Sequence, residues 1–149
     1  MILRRVMAAL AVVGLVATGP AITTIEPPYR NALEYAIHGV ETNWKTGPII
    51  GDGGASRGPM QISKPFFQDS GCEFAYEKVD DLEHALIVFR KYMERYVVPY
   101  RYNGLVPDVM CIDEFTARTH VGGPRGPWRE SSKPYWTKVQ AIKKGIEND

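Results

Sequence analysis

Apolar residues recur at helical spacing in four long segments of the chain, with polar residues between them. These segments cover about residues 28–42, 82–98, 109–120 and 133–146. Residues three or four positions apart lie on one face of a helix, so the pattern predicts four amphipathic helices. Pro28 and Pro134 stand near the starts of the first and last segments, where proline is tolerated, and Pro99 is expected to end the second.

A short helix and a pair of strands are predicted between the first and second long helices. Ser63 is placed to cap a helix that runs to about Asp69 and ends at Gly71. Before it, a glycine-rich segment separates two apolar runs, which predicts a β-hairpin. The hairpin would pair Ile49-Ile50 with Met60-Gln61-Ile62 around the bend Gly51-Asp52-Gly53-Gly54. The predicted fold class is therefore α+β, mostly α, with one small hairpin beside the first helix.

Residues 1–21 have the pattern of a secretory signal peptide. Arg4 and Arg5 precede an apolar run from Val6 to Val16, and small residues follow as far as Ala21. The apolar run is shorter than the roughly 20 residues that a membrane-spanning helix needs, which favours cleavage over an uncleaved anchor. Residues 22–149 are then expected to form one secreted domain with its own core and no stable membrane insertion.

Charge and cysteine content exclude several classes of function. The formal net charge of the 149-residue chain is only +1, so a strongly basic groove for nucleic acid is not indicated. Cys72 and Cys111 are its two cysteines, and in an exported chain an even count predicts one disulfide, the alternative being two separate thiols. Two distant thiols without clustered histidines do not make a zinc site. We expect a monomer without metal or cofactor.

Two carboxylates flank the glycine-rich bend and are candidates for glycosidic bond cleavage. That reaction needs an acid for the leaving oxygen and a second carboxylate for the electron-poor sugar carbon. Glu41 lies at the edge of the apolar face of the first helix, a sheltered position that suits the acid. Asp52 lies among glycines whose N–H groups are expected to reach its oxygens, which suits the ionised partner. On the residues alone, a solvated Glu and an Asp in an Asx turn remain the alternative.

The motifs around these carboxylates resemble those of the invertebrate-type, or destabilase-like, lysozymes. The matching runs are Val40-Glu41-Thr42, Gly51-Asp52-Gly53-Gly54-Ala55-Ser56, Gly58-Pro59-Met60-Gln61-Ile62, the block from Ala117 to Gly126, and Tyr135-Trp136-x-x-Val139. The resemblance implies a lysozyme-like fold that hydrolyses the β-1,4 bond between N-acetylmuramic acid and N-acetylglucosamine. It also implies that Glu41 is the acid and Asp52 the second carboxylate. The family is usually rich in cysteine, so this chain resembles a divergent, cysteine-poor member.

Further residues are candidates for contacts with a bacterial cell-wall polysaccharide. Gln61 is expected to line the cleft or to be an exposed hairpin residue, and His120 to bind substrate or to cap its helix. Gly122 and Gly123 join the substrate-binding candidates through the downstream motif. Trp128, with Arg118, Arg125 and Arg129, is a candidate for a sugar-stacking wall, the alternative being solvated surface arginines.

Three alternatives to a hydrolase stay open from the sequence. A lytic transglycosylase would act on the same bond with one Glu and no second carboxylate. A catalytically inactive glycan-binding protein would keep the fold and lose turnover. Some relatives are linked to isopeptidase activity through a Ser/His pair, for which Ser56 and His120 are the candidates here. The other histidines, His38 and His84, are expected on helix surfaces.

Overall fold

The structure is a computed structural model that describes residues 25–147. Helices dominate it, with a small sheet inserted after the first helix. The helices are α1 (Ala32–Thr42), α2 (Lys64–Ser70), α3 (Leu82–Tyr96), α4 (Val98–Tyr102), α5 (Ile112–Gly122) and α6 (Lys133–Glu147), and the strands are β1 (Ile50–Gly51), β2 (Ser56–Arg57) and β3 (Ile62–Ser63). The predicted α+β class, mostly α, is confirmed. The predicted signal peptide, residues 1–21, lies outside the described residues.

Local capping signals set the ends of several helices. Ser63 caps α2 as predicted, by accepting a hydrogen bond from a backbone N–H group, and the Asp81 side chain does the same at the start of α3. The helix α1 starts later than expected, because Asn31 caps it by accepting from the N–H of Glu34 at 3.0 Å. Pro99 does not end all helical structure, since it stands in the first turn of the short helix α4.

The sheet has three antiparallel strands in the order β1-β2-β3, which corrects the predicted hairpin. Ile50 pairs with Arg57, and Arg57 pairs in turn with Ile62, so β2 lies between the two runs expected to pair directly. Gly58 makes the additional turn possible with a φ of 78°, and a Cβ atom at this position would lie 2.0 Å from the carbonyl oxygen of Val79. This close approach requires glycine at the position that follows β2.

The core lies around α3, which packs against α2 on one side and α5 on another, while α1 packs against α6. A buried ion pair joins α1 to α3: the Arg90 guanidinium donates to both carboxylate oxygens of Glu34, at 2.7 and 2.8 Å. Glu34 is 3% exposed. His38 is fully buried rather than on a helix surface, because its ring nitrogens contact the Tyr29 hydroxyl at 2.6 Å and the Lys45 carbonyl oxygen at 2.9 Å.

The predicted Cys72–Cys111 disulfide is absent from the structure, where both residues are free thiols. The two cysteines have separate local roles instead. Cys111 precedes α5, and its sulfur accepts from the N–H of Glu114 at 3.4 Å. Cys72 follows α2 and lines a surface groove with Phe74 and neighbouring residues. Hydrophobic packing therefore holds the described residues together without a cross-link.

No helix within residues 25–147 is both long enough and apolar enough to span a bilayer.

Candidate active site

A small cavity of about 180 Å³ opens between the end of α1, the turn after β1 and the end of α5. Its lining residues are Glu41, Asp52, Ala55, Ser56, Gln61, Ser63, Phe66, His120 and Val121. Four of the predicted site residues, Glu41, Asp52, Gln61 and His120, are thus brought together from three parts of the chain. Gly122 and Gly123 do not line this cavity. They form the junction between α5 and a 3₁₀ turn over Gly123–Trp128.

Glu41 lies in the last turn of α1, and its side chain is 16% exposed. Its Oε1 atom accepts two hydrogen bonds from other helices: the Tyr135 hydroxyl of α6 donates at 2.6 Å, and Nε2 of His120 of α5 donates at 3.1 Å. The end of α1 is also held against the sheet region, because the Thr42 hydroxyl donates to the carbonyl oxygen of Pro59 at 3.0 Å. Three helices therefore fix the position of one carboxyl group.

The Tyr135 hydroxyl is a hydrogen-bond donor in this arrangement and keeps its own proton. Burial raises the pKa of Tyr135 well above its ordinary value, and the charge of Glu41 and the hydrogen bond to it raise that pKa further. The phenol is thus protonated at neutral pH, and its hydrogen points toward Oε1 of Glu41. Sequence reasoning noted the Tyr-Trp motif but assigned no role to Tyr135.

The ring of His120 is held between the carboxyl group and the apolar core. It packs edge-on against Phe66 and Phe89, with ring centroids 5.4 and 5.5 Å away. Its Nδ1 atom is buried and has no hydrogen-bond partner within the described residues. Because the single polar contact of the ring is from Nε2 to Glu41, the tautomer that fits carries its proton on Nε2. His120 is therefore a partner of Glu41 rather than a helix cap.

Asp52 also lines the cavity and lies in an exposed 3₁₀ turn, Asp52–Gly54, with a φ of 50°. The sequence predicted hydrogen bonds from neighbouring glycine N–H groups to its carboxylate. The contact that the structure shows comes instead from the Ser56 hydroxyl, at 3.3 Å from Oδ2. That hydroxyl also lies 2.9 Å from Oε1 of Gln61, and its one proton serves one acceptor at a time.

Gln61 supports the loops of the cavity. Its amide nitrogen donates to the carbonyl oxygens of Gly58 at 2.9 Å and Ile49 at 3.3 Å, and thereby ties the turn between β2 and β3 to the residue that precedes β1. A Cβ atom at residue 51 would lie only 1.8 Å from Oε1 of Gln61, so glycine at this position leaves the space for the Gln61 side chain. The amide that was expected to bind substrate is thus engaged with backbone.

Two other predicted groupings differ from expectation. Ser56 contacts Asp52 and Gln61, while His120 contacts Glu41, so no Ser56–His120 hydrogen bond exists. Trp128 and Arg118 do line one pocket together, but Arg118 is not an exposed member of a sugar-binding wall. It is 1% exposed and donates to Glu114, Ser132 and the backbone of Arg129 at 2.8–3.0 Å.

Within residues 25–147, no group of three or more His, Cys, Asp or Glu side chains is placed to hold a metal ion. The polar groups that line the cavity are two carboxylates, two serines, a glutamine and a histidine, and Tyr135 contacts the cavity residue Glu41 from behind. Such a set can transfer a proton and stabilise a positive charge without an ion.

Comparison with known proteins finds similarity at the level of structure. No protein-family model matches the sequence, and no curated protein sequence matches it. The lysozyme of Meretrix lusoria, in its crystal structure with Aeromonas hydrophila PliI, is similar with a TM-score of 0.62 and 25% identity, over 84% of this chain and 94% of that chain. Tapes japonica lysozyme is similar with a TM-score of 0.60 and 26% identity, over 75% of this chain and 89% of that one. The chain therefore has a lysozyme-like fold, and these structural relatives are invertebrate-type lysozymes.

Proposed function

We propose that the protein is a muramidase, which hydrolyses the β-1,4 glycosidic bond between N-acetylmuramic acid and N-acetylglucosamine in bacterial peptidoglycan. The observation that carries this proposal is that Glu41, held by Tyr135 and His120, lines the same cavity as Asp52. The similarity to two lysozymes over most of their length supports the same reaction class.

Each carboxyl group has a distinct proposed role. Glu41 is the general acid that protonates the leaving glycosidic oxygen, and it later acts as the base toward water. Asp52 is the nucleophile or the electrostatic stabiliser of the positive charge that develops on the sugar. Asp52 is exposed and accepts from Ser56, a polar setting that suits a carboxylate required in its charged form. A lytic transglycosylase has no need of this second group.

Isosteric substitutions test these roles. Glu41→Gln is expected to abolish the clearing of a bacterial cell-wall suspension, because the amide cannot deliver a proton. Asp52→Asn is expected to lower the clearing rate by about a hundredfold or more without unfolding the protein, since removal of a charged stabilising group costs several kcal/mol of barrier. Glu83→Gln, on the exposed face of α3, is the matched control and should retain full activity. Full activity in Glu41→Gln would contradict the assignment.

Product analysis separates the proposed reaction from its alternatives. Hydrolysis produces new reducing ends on the glycan, whereas a transglycosylase produces 1,6-anhydro ends. A protein that binds purified peptidoglycan tightly but releases neither product would be a glycan-binding relative without turnover. Only the first result agrees with the proposal.

We also propose that the protein acts outside the cell on cell-wall polysaccharide. The support for export is the signal-peptide pattern in residues 1–21. The proposed substrate is itself extracellular, so the two proposals are consistent with each other.

A further inference from the structure

We propose that Tyr135 is a positioning residue for the general acid: together with His120 it occupies Oε1 of Glu41 and thereby directs the acid proton, carried on Oε2, toward the cavity. This inference rests on the proposed function, since it concerns how the same carboxyl group would act. It adds a residue that none of the sequence motifs assigned to the chemistry.

The hydrogen bonds to Glu41 are asymmetric. Both donors, the Tyr135 hydroxyl at 2.6 Å and Nε2 of His120 at 3.1 Å, lie on Oε1. No hydrogen bond from a described residue reaches Oε2. Among the described residues, the one side-chain polar atom that is both buried and without a partner is Nδ1 of His120. Oε2 of Glu41 has no partner either, so it is not fully buried and keeps access to the cavity that Glu41 lines. The two oxygens therefore have different surroundings, one toward protein and one toward the site of the substrate.

This asymmetry determines where a proton can stand on the protonated carboxyl group. In a protonated carboxyl group, the oxygen that already accepts two hydrogen bonds is favoured as the carbonyl oxygen. The proton is then carried by the other oxygen. The Tyr135 phenol cannot take that proton, because its own pKa is raised by burial and by Glu41, and it remains a donor. The proton on Oε2 thus has one direction to go, which is into the cavity.

The proton transfer balances as follows. The bond between the anomeric carbon and the glycosidic oxygen breaks, and its electron pair stays on the oxygen. That oxygen takes the proton from Oε2, which leaves Glu41 as a carboxylate still bonded to Tyr135 and His120. The carboxylate of Asp52 or a water molecule supplies the new electron pair to the anomeric carbon. General acids in the correct position contribute about 10²–10⁴-fold to such steps.

The geometry also explains why the orienting group comes from α6. Glu41 is in the last turn of α1, where the helix ends at Asn43 with a left-handed φ of 53°. The side chain of Glu41 lies over the preceding turn of α1, which restricts its χ1 rotamer but does not select which carboxyl oxygen faces the cavity. The helix α6 packs along α1, so a phenol on α6 supplies the missing restraint through one rigid ring.

The test is Tyr135→Phe, which keeps the ring and removes the hydroxyl. On uncross-linked peptidoglycan chains, kcat is expected to fall about ten- to a hundredfold with KM within about twofold, because substrate binding is intact and the acid is misaligned. On a chitin trisaccharide with a 4-nitrophenyl leaving group, the loss should be less than about threefold, since nitrophenolate leaves with little help from an acid. A merely structural role would reduce both rates equally.

The matched control is Tyr96→Phe, which removes a hydroxyl that donates to the Asp69 carboxylate at 3.0 Å outside the cavity. It should change neither kcat nor the ratio between the two substrates. Unchanged kcat in Tyr135→Phe, or an equal loss on both substrates, overturns the inference. If Tyr135→Phe does not fold by circular dichroism, Tyr135→Met is measured in the same way, because the flexible thioether fills the space without a donor.

Failure of this inference differs from failure of the proposed function. If the wild-type protein releases no reducing ends, the muramidase proposal itself is lost. If the wild type is active and Glu41→Gln is inactive, but Tyr135→Phe behaves like the wild type, only the role of Tyr135 is lost.

Discussion

Replacing Arg90 with methionine is expected to destabilise the fold more than any exposed ion pair would, because it strands a buried charge. The Glu34 side chain is 4% exposed, and the Arg90 guanidinium contacts both of its oxygens. In the variant, the Glu34 carboxylate keeps only the hydrogen bond from the backbone N–H of Arg30, at 2.7 Å. The backbone oxygen of Pro28 also loses its donor, which stands 2.8 Å away.

The magnitude follows from the cost of leaving one member of a buried pair. Removing one partner costs about 3–5 kcal/mol, whereas replacing both by apolar groups is often close to neutral. Arg90→Met should therefore lower the free energy of unfolding by that amount, and the double variant Glu34→Leu/Arg90→Met should recover most of the loss. Lys133→Met is the matched control, because its pair with Glu130 is exposed on both sides.

Urea denaturation at pH 7 measures this effect. With a slope of about 1–3 kcal/mol/M for a small protein, the midpoint of Arg90→Met should fall by about 1 M or more. The control variant should keep its midpoint. A loss below about 1 kcal/mol in Arg90→Met, or a double variant less stable than the single one, would refute the reasoning that Glu34 depends on its counter-ion.

Two further predictions concern pH and processing. Burial lowers the pKa of His38, against the smaller raising effect of its hydrogen bond to Lys45, so the unfolded chain binds a proton at a pH where the folded one does not. The stability contribution of neutral His38 is complete above the unfolded pKa of about 6.5 and is lost as pH falls toward the folded pKa, by at most about 1.4 kcal/mol per pH unit. Urea midpoints measured between pH 7 and 5 should fall in the wild type, and they should fall less steeply with pH in His38→Gln. An equal dependence on pH in the two proteins would contradict the prediction. The exported protein should begin at Ile22, which N-terminal sequencing of secreted material would check, and an intact Met1 would exclude cleavage.

Much of the helical architecture could be predicted because it depends on neighbours in the sequence. Ser63 and Asp81 cap their helices through N–H groups three residues away, and Gly71 ends α2 with a left-handed φ of 70°. The apolar spacing of α3 likewise reports which face is buried. Glu41 and Asp52 were candidates from local chemistry and motif resemblance, and both line one cavity.

The predictions that failed involve groups whose partners lie outside their own helix or strand. His38 and Arg118 are polar residues that pattern analysis assigns to a surface, yet both are buried because other segments satisfy their hydrogen bonds. The central strand β2 was missed for a related reason. A two-residue strand has no periodicity of its own, and its existence depends on the partners Ile50 and Ile62 on either side.

The carboxyl group at the centre of the site shows the same division. Spacing and turn chemistry predict the local properties of the site, which are the residue types, the helix that carries Glu41 and the glycine bend that carries Asp52. The partners of Glu41 are not, since Tyr135 and His120 lie 94 and 79 residues away along the chain. Only the packing of α5 and α6 against α1 brings them to one oxygen, because hydrogen-bond geometry depends on distances in space that no sequence interval encodes.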